Sequence, residues 1–153
     1  MTEKKQVRLV VNSGFRDLSG GGAAAPHEAE EGEALALEAE ALLERRGTGV
    51  IVQTLPGSSP EGRLTLRYDQ AAGRLQVLRT GEAGLRMEFI RDRRSEAVFS
   101  TPAGKFALRV ETKRLAEGDG EELELFLDYL TYAGEETVGS FSMTIRAVTE
   151  SAV

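Results

Sequence analysis

The sequence predicts an all-β protein that forms a single antiparallel, up-and-down β-barrel of eight to ten strands. Apolar and polar residues alternate along most of the chain after residue 62, as they do in strands with one buried face. Turns rich in glycine separate these segments, and 153 residues is the length of one domain. Closure into a barrel is favoured because an open meander would leave exposed strand edges.

The first part of the chain predicts one strand and one loop. Residues 7–11, Val-Arg-Leu-Val-Val, are apolar and largely β-branched, and Asn-Ser-Gly at 12–14 favours a turn after them. The stretch at about 17–32 is rich in Gly, Ala and Glu. Such a composition cannot bury enough apolar surface to offset its ordering entropy, so we expect a flexible loop there.

Residues 33–46 carry two signals that disagree. Every residue of this segment is a good helix former, and Gly47 suits a helix C-cap. Yet apolar residues alternate with glutamates through much of it, and the turn at 47–49 leads into Val-Ile-Val at 50–52, as in a β-hairpin. From the residues alone, helix and strand both remain open.

The remainder of the chain predicts a meander of hairpins in a single domain of residues 1–153, with no internal repeat or second domain. In each predicted strand, apolar residues share one parity and polar residues the other. The apolar sets are Leu64, Leu66 and Tyr68; Leu75 and Val77; Leu85, Met87 and Phe89; Ala97 and Phe99; Phe106, Leu108 and Val110; Leu123, Leu125, Leu127 and Tyr129; and Phe141, Met143 and Ile145.

The order of motifs over residues 35–148 resembles the YwiB-like family, small bacterial proteins of unknown function. Residues 79–89, Arg-Thr-Gly-Glu-Ala-Gly-Leu-Arg-Met-Glu-Phe, are similar to the family's strand, glycine turn and Arg-Met-x-Phe strand. Residues 101–106, Thr-Pro-Ala-Gly-Lys-Phe, are similar to its Thr-Pro-x-Gly-x-Phe hairpin. The resemblance implies a lipocalin-like (calycin) β-barrel and no known activity. It also implies that 33–46 is a strand.

Composition excludes several classes of function. The chain has 25 acidic and 19 basic residues and a net charge of −6, which disfavours binding to nucleic acid or to anionic membranes. The absence of cysteine removes thiolate chemistry, disulfides and cysteine metal sites. The polar N-terminal residues and the lack of a long apolar run predict a cytoplasmic protein.

No catalytic or metal-binding set is visible in the sequence. His27 is the single histidine and lies in the acidic stretch, where a solvated loop is the favoured interpretation. The serines therefore lack a histidine base, and the paired glutamates fall on the polar parity of their strands. We predict that the protein is not an enzyme and that it binds no metal or cofactor.

Arg79 is the most unusual residue of the pattern. It shares the parity of Leu75 and Val77, so its charge is predicted to point into the barrel or its mouth, where it needs an anionic or carbonyl partner. It could anchor a ligand carboxylate, or it could cap the end of the barrel. The other residues predicted to line the interior are Tyr68, Met87, Phe89, Phe106, Tyr129 and Phe141.

Two functions follow from this pattern. The first is a barrel that binds a small apolar or carboxylate-bearing molecule next to Arg79. The alternative is a barrel with a packed core that acts through protein contacts. Phe126 and Leu130 are apolar on the outward parity of their strand and would form its interface, plausibly of a homodimer.

Overall fold

The computed structural model describes residues 3–17, 32–57, 62–81, 84–119 and 122–149, none of which is helical. The prediction of an all-β protein is therefore confirmed for these residues. They form ten strands: β1 (Glu3–Asp17), β2 (Gly32–Arg46), β3 (Gly49–Thr54), β4 (Arg63–Asp69), β5 (Arg74–Thr80), β6 (Gly84–Ile90), β7 (Arg94–Thr101), β8 (Gly104–Glu117), β9 (Leu123–Ala133) and β10 (Glu136–Val148).

The ten strands close into an antiparallel barrel in which each strand pairs with its neighbours in the chain. Pairing of β1 with β10 completes the circle, so the predicted up-and-down barrel is confirmed with ten strands. The turns after β2, β4, β6 and β8 lie at one end, here called the lower end. The connections after β1, β3, β5, β7 and β9 lie at the other, the upper end.

The segment with conflicting signals is a strand, β2, which pairs with β1 on one side and β3 on the other. Its alternation explains why helix propensity does not prevail. Leu37 and Ala39 are buried on the inward face, whereas Glu38 and Glu40 are exposed on the outward face. A strand between two partners buries every second residue, and that burial outweighs the helix preference of the individual residues. The flexible loop predicted at about 17–32 lies almost wholly outside the described residues.

The inward faces of the strands form one continuous hydrophobic core. An aromatic group lies within it: the rings of Phe89 and Tyr129 are 4.7 Å apart between centroids, and those of Tyr129 and Phe141 are stacked at 4.8 Å. Such ring pairs add to the hydrophobic burial that stabilises a core. The largest fully buried side chains include Phe89, Leu9, Leu43, Leu75, Leu125, Leu127 and Ile145.

The position of Phe106 corrects one prediction. Phe106 has the inward parity expected of it, but it is 56% exposed instead of lying within the interior. The cause is its height in the barrel. Among the described residues, β8 pairs with β9 only from Arg109 onward, so Phe106 stands above the end of the neighbouring strand.

Candidate functional site

The uppermost inward-facing residues of β4–β8 form a continuous row in register. Leu64 of β4 pairs with Arg79 of β5, and Arg79 pairs with Leu85 of β6. Leu85 pairs in turn with Phe99 of β7, and Phe99 pairs with Phe106 of β8. This rim row, Leu64, Arg79, Leu85, Phe99 and Phe106, lies near the upper end of the barrel. It places one cation beside a run of three apolar side chains.

Arg79 is the polar member of the rim row. Its side chain is half-buried, and its Nε is enclosed with no hydrogen-bond partner among the described residues. No carboxylate in the described ranges forms an ion pair with its guanidinium. An enclosed donor without an acceptor costs about 1–3 kcal/mol. Arg79 thus carries a positive charge that has no anionic partner among the described residues.

The apolar members of the row become more exposed with distance from Arg79. Leu85 and Phe99 are partly buried and pack against the core, and Phe106 is the most exposed. Below them a second row, Leu66, Val77, Met87 and Ala97, is buried. The apolar side chains of the rim row therefore lie directly above a row of buried side chains.

The structure brings together some of the predicted site residues and separates others. Arg79 and Phe106 lie in the rim row, and Met87 lies directly below it. Phe89, Tyr129 and Phe141 form the aromatic group in the interior. Burial raises the pKa of the Tyr129 hydroxyl above its ordinary value.

Tyr68 lies at the other end of the barrel from Arg79. It is 2% exposed, and its hydroxyl is enclosed without a hydrogen-bond partner in the described part of the chain. Burial raises its pKa, the Glu117 carboxylate adds to this effect, and the positive charge of Arg91 opposes it. Arg91 donates two hydrogen bonds to the Leu115 carbonyl, both 3.1 Å long. It thereby spans part of the lower end.

Phe126 and Leu130 point outward on β9 and are half-buried. The Arg114 guanidinium lies 5.5 Å from the centroid of the Phe126 ring and covers part of it. The homodimer interface at these two residues stays a prediction.

The sequence analysis did not predict that Leu85 and Phe99, two residues of the rim row, belong to the site. Their parity placed them on the inward face, but parity does not give height along the barrel. The signal that would have found them is strand register. The turns between β5 and β6 and between β7 and β8 set Leu85 opposite Arg79 and Phe99 opposite Phe106.

The described residues contain no group of three or more His, Asp or Glu side chains that could hold a metal ion. They also contain no helix long and apolar enough to cross a membrane.

Comparison with known proteins identifies the family. Residues 56–145, more than half of the chain, match the family described as Domain of unknown function (DUF1934). The chain belongs to this family. The match spans all five strands that carry the rim row, β4 to β8.

The fold has a solved counterpart. The crystal structure of ywiB protein from Bacillus subtilis superposes with a TM-score of 0.67 over 95% of this chain and 94% of that chain, at 15% sequence identity. At that identity the likeness concerns the fold alone. It agrees with the family resemblance that the motifs indicated. No curated protein matches the sequence.

Proposed function

We propose that the protein binds a small amphipathic molecule with an acidic group at the rim row. The acidic group bonds to the Arg79 guanidinium, and the apolar body lies along Leu85, Phe99 and Phe106. One observation carries the proposal: Arg79, whose Nε has no hydrogen-bond partner among the described residues, begins an in-register run of three apolar side chains near the upper end. In this role the barrel is a binding protein and not an enzyme.

Both halves of the rim row gain from such a ligand. A carboxylate supplies the acceptor that Arg79 lacks, and charge-assisted hydrogen bonds to a guanidinium are among the strongest in proteins. Phe106, at 56% exposure, gains by burial of its ring, at about 25 cal/mol per Å² of apolar surface removed from water. The two contributions are independent and can be tested one at a time.

The dimensions of the site limit the ligand. Neighbouring strands lie about 4.8 Å apart, so the row from Arg79 to Phe106 spans about 14 Å. The buried second row beneath it, which includes Val77 and Met87, favours a ligand that lies across the mouth over one that enters the core. These limits suit a medium-chain carboxylic acid.

Calorimetric titration with decanoate tests the proposal, with 1-decanol as the probe that lacks the charge. We expect decanoate to bind and Arg79→Met to weaken it by at least about tenfold, the effect of losing one charge-assisted hydrogen bond. Arg63→Met is the matched control, because it makes the same change of charge at an exposed residue of the adjacent strand β4. It should leave decanoate affinity unchanged.

A second variant tests the apolar half of the site. Phe106→Ser should weaken decanoate and decanol in similar proportion, because both lose the same apolar contact. Equal affinity for decanol and decanoate, or an Arg79→Met protein that binds decanoate as the wild type does, would contradict the role of Arg79. Absence of decanoate binding to the wild-type protein would overturn the proposed site.

A further inference from the structure

The outer face of β4–β7 carries a trough of about 540 Å³, on the opposite side of the wall from the rim row. A shallower depression of about 240 Å³ continues from it across β3, and Arg67 and Gln76 line both. Five strands at about 4.8 Å spacing give the combined trough a length of about 19 Å. The larger part is lined on the outward face by Arg67, Gln76, Leu78, Arg86, Glu88, Glu96 and Val98.

Two rows in register build this trough. In the upper row Leu78 of β5 pairs with Arg86 of β6, and Arg86 pairs with Val98 of β7. In the lower row Arg67 of β4 pairs with Gln76 of β5. Leu78 and Val98 therefore provide apolar surface on either side of the Arg86 side chain.

The Glu88 carboxylate in the trough already accepts hydrogen bonds from neighbouring side chains. Arg74 donates to its Oε2 through Nε at 2.8 Å and also through Nη2, and Gln76 donates to the same oxygen at 3.0 Å. Partial burial raises the pKa of Glu88, but the hydrogen bonds from Gln76 and Arg74 outweigh it and leave the pKa lowered. Glu88 is thus an ionised group whose charge Arg74 balances.

Arg67 and Arg86 differ from Glu88 in their hydrogen bonding. Neither forms a hydrogen bond or an ion pair with another residue in the described ranges. Their Cα atoms lie two strands apart and one row apart, which is about 12 Å. Their guanidinium groups thus flank the trough at a separation of about four residues of extended chain, and the Arg86 charge also attracts the Glu88 carboxylate.

The charge of the chain is unevenly distributed. Residues 63–114, which supply β4–β7 and most of β8, contain 12 Arg and Lys but 6 Asp and Glu, a net charge of +6. The whole chain carries −6, so the rest of the sequence carries −12. The trough itself is lined by both signs, Arg67 and Arg86 with Glu88 and Glu96, so the excess of positive charge belongs to the surrounding strands, where it attracts acidic partners and orients them during encounter.

We propose that this trough docks an extended acidic segment of a partner protein. Acidic side chains four residues apart, which point to the same side of an extended chain, bond to Arg67 and Arg86, and the apolar side chain midway between them lies on Leu78. The length of the trough exceeds that of a typical small ligand and suits a peptide. Glu88, whose charge Arg74 balances, and Glu96 also line the trough, so the acidic side chains of the segment lie at the two arginines and away from these carboxylates.

Fluorescence anisotropy with a labelled synthetic peptide tests this proposal. The probe carries Glu-Ser-Leu-Ser-Glu between Gly-Ser flanks, which places both Glu side chains and the Leu side chain on one side of an extended chain, and a second peptide has Gln in place of both Glu residues. We expect the Glu peptide to bind more tightly than the Gln peptide. Arg67→Gln with Arg86→Gln should lower its affinity at least about tenfold, since charge-assisted hydrogen bonds contribute about 1.5–3 kcal/mol each.

The matched control is Arg63→Gln with Lys105→Gln, which makes the same change of net charge at exposed residues outside the trough. It should lower peptide affinity far less. Arg79→Met should leave peptide binding unchanged, which separates this surface from the rim row. Equal binding of the two peptides, equal losses in both pairs of variants, or displacement of the peptide by an equal concentration of single-stranded DNA would each overturn the proposal.

Discussion

The two ends of the barrel differ in how the chain surrounds an enclosed polar group. Tyr68 near the lower end and Arg79 near the upper end both lie on the inward face of the β4–β5 pair. Each has one enclosed side-chain atom without a hydrogen-bond partner among the described residues, the Tyr68 hydroxyl and the Arg79 Nε. What differs is the cover that the surrounding chain provides.

At the lower end, Arg91 links neighbouring parts of the chain through hydrogen bonds. Arg91 donates two hydrogen bonds to the Leu115 carbonyl, and its backbone N–H donates to the Gly73 carbonyl at 2.8 Å. Gly73 has a φ of 62°, and a Cβ there would contact the Arg91 side chain at 3.0 Å. At the upper end no described acceptor holds Arg79. The same residue type is thus hydrogen-bonded at one end, whereas at the other its Nε has no partner among the described residues.

The largest effect should distinguish the packed interior from the rim. Phe89→Ala removes a fully buried ring that packs against Tyr129, and we expect it to cost about 3–5 kcal/mol in the free energy of unfolding. Phe106→Ala, the same change at the exposed rim, should cost less than about 1 kcal/mol. Urea unfolding of both variants measures the difference. Similar losses would mean that the rim is as tightly packed as the core.

The two arginines provide the next comparison. Arg91→Met removes both hydrogen bonds to the Leu115 carbonyl, and we expect a loss of about 1–2 kcal/mol in unfolding free energy. Arg79→Met removes a donor that has no partner, so stability should stay the same or rise. Thermal and urea unfolding both report this. A large loss of unfolding free energy in the Arg79→Met variant would show that Arg79 caps the upper end of the barrel. That is the second of the two roles that the sequence analysis gave to Arg79.

Sequence reasoning predicted the orientation of these residues but not their height. Period-two alternation indicated that Arg79, Tyr68 and Phe106 share the inward parity, and the turns between the strands predicted the barrel. Alternation carries no information about which strand ends first. Phe106 is exposed because β9 pairs with β8 only from Arg109 onward. That depends on the lengths and the register of β8 and β9, which alternation does not give.

The outer trough was beyond reach of the sequence for a related reason. Arg67 and Arg86 appear in the sequence as ordinary residues of a polar face, each within an alternating strand. They lie on one surface because three successive strands align Arg67 with Gln76 and Leu78 with Arg86. The uneven distribution of charge, by contrast, can be counted directly from the sequence.

Alkaline pH should weaken the folded state through the buried tyrosines. Burial raises the pKa values of Tyr129 and Tyr68, so the folded protein keeps protons that the unfolded chain releases above about pH 10. Their contribution to stability is complete below that pH and is lost as the pH rises further. Urea unfolding at a series of pH values should show a shallower decline in Tyr129→Phe than in the wild type. Identical slopes would contradict the assignment.

The smallest effects should come from removing the enclosed polar atoms that have no partner. Besides the Tyr68 hydroxyl, the Thr112 Oγ1 lies buried without a hydrogen-bond partner in the described part of the chain. Tyr68→Phe and Thr112→Val keep nearly the same shape and remove only the polar group. Because no hydrogen bond is lost, each should change the unfolding free energy by less than about 1 kcal/mol or raise it slightly. A loss above about 1 kcal/mol in either variant would mean that a bound water or ligand bonds to the hydroxyl, so that the interior as well as the rim binds polar groups.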